Sequence, residues 1–140
     1  MIDVLFVCTG NTCRSPMAEC LFNARAAAQG LPYHAESAGL FANDGAPASD
    51  GAYQAMRSRG LSLNRHAARS LSAALVRDAR LIVGMSERHA ETIRQRYPNA
   101  NVRALEPAIS DPYGGSIAQY ERAAEAIAAQ LDALLALVRA

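Results

Sequence analysis

At 140 residues the chain is long enough for one compact domain with a real core and too short for two ordinary ones. Apolar residues make up 51% of it, which excludes a disordered chain, and a net charge of +1 with both signs scattered leaves no basic tract for a nucleic-acid partner. No stretch approaches a membrane span, Met1-Ile2-Asp3 lacks the lead-in of a signal peptide, and Cys8, Cys13 and Cys20 cluster too early to form a disulfide framework, so a reducing cytoplasm is the expected compartment.

Val4 to Val7 is an unbroken apolar run, the pattern of a central parallel strand covered on both faces. A helix is expected to open with Ser15 as N-cap and Pro16 at its first position; Met17, Leu21, Ala24 and Ala28 form its apolar stripe and Gly30 its stop. His34 to Ala38 reads as a second strand, and Pro47 to Arg59 as a helix ended by Gly60. Leu81-Ile82-Val83 is the third strand. Ser86 can cap a helix that runs to Tyr97 and stops at Pro98-Asn99, and Val102 to Leu105 is a short fourth strand. Ile117, Tyr120, Ala124, Ile127, Leu131, Leu134 and Val138 recur at helical steps and predict one last helix docked on the sheet.

With no repeat, linker or internal boundary, residues 1–140 read as a single domain of the α/β class, an open parallel four-stranded sheet with helices on both faces. Ligands bind beyond the carboxyl ends of the strands in such sheets. Cys8 lies at that end of the first strand, and the segment after Leu105 leads Asp111 toward the same crevice.

Hydrolysis of a phosphate by cysteine needs a thiolate, charge stabilisation on the equatorial oxygens, in-line geometry and an acid for the leaving group. The loop from Cys8 to Arg14 can supply the first three. A helix N-terminus and a nearby cation both favour the thiolate over the thiol. The N–H groups of Thr9, Gly10, Asn11, Thr12, Cys13 and Arg14 can point inward around an oxyanion, and Gly10 lets the chain turn tightly. Arg14 can hold two phosphate oxygens and bind harder as charge spreads over them. Asn11 fits as an internal strut. Ser15 has two competing jobs, capping the helix and donating to the sulfur as it leaves. A lone cysteine at a strand end is usually a small buried apolar residue; in company with Gly10, Arg14, Ser15 and Pro16 it reads as a nucleophile. Cys20, inside the helix, reads as packing. His34, His66 and His89 show no ligand spacing and read as packing or surface residues, so neither a metal nor another cofactor is expected.

These residues closely resemble the low-molecular-weight protein tyrosine phosphatase family, whose signature is C-x5-R-S after the first strand. Cys8, Arg14 and Ser15 match it, and Asn11 and Pro16 match its fuller form. The resemblance runs on through Ser37-Ala38-Gly39, through His66-Ala67-Ala68-Arg69 as an H-x-A-R segment, and through Asp111-Pro112-Tyr113 as the late D-P-[YF] loop. It implies that Cys8 is the nucleophile of a phosphocysteine intermediate, that Arg14 binds phosphate, and that Asp111 is first the acid for the leaving group and then the base for water. On its own a D-P pair is more often a turn signal, but its place after the fourth strand suits an acid that serves both half-reactions. The resemblance also implies that Cys13 can form a disulfide with the nucleophile and shelter it from over-oxidation, the alternative being a passive loop residue.

Two positions bear on the substrate. Thr12 stands where the tyrosine phosphatases of this family usually carry isoleucine, and Tyr113-Gly114-Gly115 stands where many carry a second aromatic residue. Both resemble the protein-arginine phosphatase branch. A threonine hydroxyl can meet the N–H donors of a phosphoarginine, whereas an isoleucine methyl would crowd them. Tyr113 can stack on a guanidinium or on a phenyl ring and does not decide between them, and Phe41 is a further candidate pocket wall. The expected activity is thus dephosphorylation of a phosphorylated protein, leaning to phosphoarginine, with phosphotyrosine as the alternative and with phosphate or another oxyanion held in the loop. No nucleic acid or membrane partner is expected. A thiol-dependent arsenate reductase would need further cysteines after Cys20, and there are none. A sugar-transport phosphocarrier would not need Asp111 to drive hydrolysis, and a phosphate-binding module would gain nothing from cysteine in place of a hydroxyl.

Overall fold

The computed structural model describes residues Met1–Ala140. The first apolar run becomes strand β1, Ile2–Cys8. The other strands are β2, Ala35–Gly39, β3, Ala79–Gly84, and β4, Val102–Ala104. They form one four-stranded sheet in the order β2-β1-β3-β4, and every pair is parallel. β1 is central, which is why Val4 to Val7 are all fully buried and none of them is polar. In the register Cys8 stands opposite Gly39 and Val7 opposite Gly84, so three strands deliver their carboxyl ends to one edge.

Six helices cover the sheet: α1, Arg14–Ala28, α2, Asp50–Arg57, α3, Ala73–Asp78, α4, Glu87–Arg96, α5, Ile117–Ala128, and α6, Leu131–Arg139. Successive strand side chains point to opposite faces. Val4 and Phe6 enter a core shared with Met17, Phe22, Met56 and Ile127, where Phe6 meets Phe22 edge-on at 5.9 Å between ring centres. Leu5 and Val7 enter a smaller core with Ile82 and Ile93 under α3 and α4.

Several elements differ from their sequence expectation. α1 begins at Arg14, with Cys13 in the N-cap position and no side-chain cap, so Ser15 is not the cap and Pro16 lies within the first turn. Of the expected α1 stripe, Met17 and Leu21 are buried, together with Ala18, Phe22 and Ala26, while Ala24 is only partly buried and Ala28 is exposed. β2 is displaced by one residue, β4 stops at Ala104, and α2 starts only at Asp50, where the Ser49 hydroxyl accepts from Ala52 N. α3 was not expected: it is a short helix capped by Ser72. The long terminal helix is two helices. The break falls at Ala129-Gln130, where the Gln130 amide accepts from Glu106 N at 2.9 Å and donates to Pro107 O at 2.9 Å. Apolar spacing continues across the break and hides it.

Candidate active site

Residues 9–13 leave β1 and turn back into α1, so the loop ends at a helix N-terminus, where free N–H groups and the helix dipole favour an anion. Cys8, Thr9, Gly10, Thr12, Cys13 and Arg14 line a pocket of about 210 Å³ that Asp111 and Tyr113 close from the far side. Cys8 is 3% exposed, and its Sγ lies 2.9 Å from the Ser15 hydroxyl. Arg14 is buried; it donates to Ile109 O at 3.2 Å and stands 3.6 Å from the Asp111 carboxylate. The carbonyl just ahead of the acid segment thereby orients the cation. Asp111 is 53% exposed at the rim and accepts from Tyr113 N at 3.1 Å. A thiol, a cation and a carboxylate thus meet on one small pocket from residues that lie far apart along the chain.

Asn11 and Ser15 do not line that pocket. Both are fully buried behind the loop. Asn11 has φ +57°, a left-handed conformation that asparagine tolerates better than most residues. Its amide donates to Ser15 Oγ and Ser37 Oγ at 2.9 Å each, its Oδ1 accepts from Arg69 N at 3.0 Å, and its main-chain carbonyl meets His66 Nε2 at 2.6 Å. Ser37 continues the network to Glu19 at 2.8 Å, and Arg69 holds Glu36 and the Ser37 carbonyl. Burial raises the Glu36 carboxyl, but the Arg69 and His34 side chains outweigh this and hold it below its ordinary range. The family-like S-A-G and H-x-A-R segments are therefore struts under the loop. Gly39 is there for space: a Cβ on it would stand 2.7 Å from Thr9 O.

Two of the histidines, expected to be packing or surface residues, do more. His66 holds the Asn11 carbonyl. His89, 5% exposed, spans from the Ser86 hydroxyl at 2.8 Å on Nδ1 to the Thr9 hydroxyl at 3.0 Å on Nε2. The one sequence signal for this role was position: His89 sits one turn after the Ser86 cap, beyond the carboxyl end of β3. Burial, and then the Arg14 charge, lower its pKa from 6.5 to about 4. It is thus neutral when folded and readily protonated when unfolded, so stability falls as pH drops from about 6.5 toward 4. Chemical denaturation at pH 7 and pH 4.5 should show the native protein losing about 2–3 kcal/mol more than His89→Asn over that interval. Equal losses would mean that His89 carries no such linkage.

The remaining candidates are placed as follows. Thr12 lines the pocket, and its hydroxyl has one side-chain neighbour, the Cys13 sulfur at 3.8 Å. The Cys13 thiol donates to Ser49 Oγ at 3.2 Å and lies 3.6 Å from the Tyr120 hydroxyl. Burial foremost keeps that phenol above its ordinary pKa, so it remains a neutral hydroxyl. Burial and the adjacent Glu19 push the Cys20 thiol up, in keeping with packing rather than reactivity. All three cysteines are free. Phe41 does not line the pocket; it is 72% exposed, with the Arg96 guanidinium 5.2 Å above its ring.

Four parallel strands with a cysteine loop entering a helix define a cysteine-dependent phosphatase architecture. The family model for low molecular weight phosphotyrosine protein phosphatase matches residues 3–140, and the chain belongs to that family. It is 35% identical over 130 residues to a protein-arginine-phosphatase of Bacillus subtilis, covering 86% of each chain. The low molecular weight protein tyrosine phosphatase from T. tengcongensis superposes with a TM-score of 0.92 at 37% identity, over 97% of this chain and 99% of that one. A YwlE arginine phosphatase mutant carrying a phosphorylated active-site serine gives a TM-score of 0.93 at 33% identity, over 99% and 96% of the two chains.

Proposed function

We propose that the protein hydrolyses phosphorylated protein side chains through a phosphocysteine, with phosphoarginine as its preferred substrate. The observation that carries this reading is the convergence of Cys8, Arg14 and Asp111 on one pocket of about 210 Å³. Cys8 Sγ attacks phosphorus in line while the Asp111 carboxyl protonates the departing nitrogen or oxygen. Arg14 and the N–H groups of the loop hold the three equatorial oxygens. In the second step the Asp111 carboxylate takes a proton from water as its oxygen bonds to phosphorus. The sulfur then leaves, and the Ser15 hydroxyl 2.9 Å away donates to it.

The preference for phosphoarginine rests on Thr12. Thr12 lines the pocket, and its hydroxyl has one weak side-chain partner, the Cys13 sulfur at 3.8 Å, which leaves it able to accept from a guanidinium N–H. Exposed Tyr113 offers a face for stacking. That a Bacillus subtilis relative is a protein-arginine-phosphatase supports the same substrate. The test uses matched phosphoarginine and phosphotyrosine peptides. The native chain should favour phosphoarginine, and Thr12→Ile should shift the ratio of kcat/KM values toward phosphotyrosine by about tenfold or more, since a site that bonds a polar group rejects poorly when the partner is lost. An unchanged ratio in Thr12→Ile would refute the assignment, and a native preference for phosphotyrosine would replace it with the alternative.

Cys13 is the proposed guard of the nucleophile. Hydrogen peroxide would oxidise Cys8 to the sulfenic acid; the Cys13 thiolate would then attack that sulfur, release water and leave a disulfide that thiols can reduce. To do so Cys13 must release Ser49 and Tyr120. Three free thiols support a reducing compartment such as the cytoplasm. No helix is long and apolar enough to cross a membrane.

A further inference from the structure

Beside the catalytic pocket lies a cavity of about 400 Å³, roughly twice as large. Ser110, Asp111 and Pro112 form one wall, Gln119 and Arg122 of α5 the other, over a floor of alanines. Asp111 is common to the two cavities, so the second opens beside the place a phosphorylated side chain would enter.

The chemistry of this second cavity differs from that of the first. Its donors are not spent inside the protein. The Gln119 Oε1 closes the α5 capping box with Ser116, which leaves the amide N–H groups of Gln119 free. The Ser110 hydroxyl has no partner in the chain. Neither has the Arg122 guanidinium: the neighbouring carboxylate, Glu121, accepts from Ser58 at 2.8 Å and pairs with Arg59 at 3.9 Å. Glu125, one turn along α5, is exposed and makes no ion pair with it. The carboxylate in the wall, Asp111, is turned to Arg14 and to Tyr113 N. The open charge of the cavity is therefore positive.

We propose that this cavity is a substrate subsite for an anionic side chain, a carboxylate or a second phosphoryl group, carried one to three residues from the phosphorylated residue and bound by Arg122 with Gln119 and Ser110. The inference rests on the phosphatase reading for its substrate, and an extended chain advancing about 3.3–3.6 Å per residue can reach from one cavity to the other. The preferred substrates are phosphorylated segments with acidic or multiply phosphorylated flanks.

The experiment compares phosphopeptides that carry glutamate, phosphoserine or glutamine beside the phosphorylated residue. Two quantities are read: kcat/KM on the native enzyme, and Kd on the Cys8→Ser protein. Both should favour the anionic flanks by about twofold to fivefold, the range of a solvent-accessible ion pair, and the advantage should shrink in high salt. Arg122→Gln should bring the ratio to about one, and Arg122→Glu should reverse it, since like charges then meet. A larger ratio for phosphoserine than for glutamate would assign the site to phosphoryl groups; the reverse order would assign it to carboxylates. Equal binding of all three peptides, or a preference untouched by Arg122→Gln, would overturn the subsite. Absent turnover with preserved discrimination in Kd would instead overturn the catalytic reading and leave the subsite standing.

Discussion

Replacing Cys8 by serine is expected to abolish turnover, by about 10⁴-fold or more, while phosphate binding persists. A thiol is a few per cent ionised near neutral pH even unassisted, whereas a serine hydroxyl needs an adjacent base to become nucleophilic. The site offers none behind the nucleophile. The His66 ring is committed to the Asn11 carbonyl and the His89 ring to Thr9 and Ser86, and neither ring is bonded to Cys8. The groups proposed to hold an oxyanion, the loop N–H groups and Arg14, do not depend on sulfur, so affinity for inorganic phosphate should stay within about threefold of native, a difference of less than 1 kcal/mol. Aryl phosphate hydrolysis and calorimetric phosphate titration separate the two effects. Near-native turnover by Cys8→Ser would end the mechanism. Loss of phosphate binding would show instead that the thiol shapes the loop.

The second large effect is expected from Asp111→Asn, which should slow hydrolysis by about 10²–10⁴-fold, the usual worth of a positioned acid–base group. The loss should depend on the leaving group. A nitrophenolate departs without a proton, so its first step should be little affected, whereas phenyl phosphate and phosphorylated peptides should lose the full factor. In the proposed mechanism the same carboxylate activates water in the second step. A nitrophenyl substrate should therefore give a burst of product followed by slow turnover, as phosphocysteine accumulates. Rapid-mixing kinetics with acid-quench detection of the phosphoprotein measure this directly. The fold should not suffer: Asp111 is half exposed, and an asparagine oxygen can still accept from Tyr113 N. A uniform loss across leaving groups, with no burst, would remove Asp111 from both proton-transfer roles.

Most of the sheet was legible before any coordinates. Val4 to Val7 and Leu81 to Val83 read as strands because a strand buried on both faces can carry no polar residue, and that constraint is local. Cys8, Arg14 and Asp111, the residues proposed as nucleophile, cation and acid, could be picked out for a related reason together with the family resemblance: C-x5-R-S at a strand end, and Asp-Pro after the fourth strand, are contiguous or fixed in topological order, and the fold brings all three to one pocket. The misread helices failed where short-range pattern and long-range contact part company. Apolar spacing ran unbroken from Ile117 to Val138, yet the chain leaves the helix at Gln130, whose side chain is tied to Glu106 and Pro107 across the fold. Ser15 had every local mark of an N-cap, but its hydroxyl sits on the Cys8 sulfur. Two of the histidines were misjudged because their partners, Asn11 and Thr9, lie on the loop and far from them in sequence.

The amino-acid sequence by itself determined the four strands and the helices after β1 and β3, and it put the cysteine, arginine and threonine into one loop, since each depends on residue type at short spacing. Only the tertiary structure decided how that loop is held. Asn11 keeps its left-handed backbone because Ser15, Ser37, His66 and Arg69 converge on it from three segments of the chain. It also decided that Asp111 stands between two cavities, one lined by Cys8 and Arg14 and one lined by Gln119 and Arg122. Such features are distances between residues that the chain keeps far apart, and only packing brings them together.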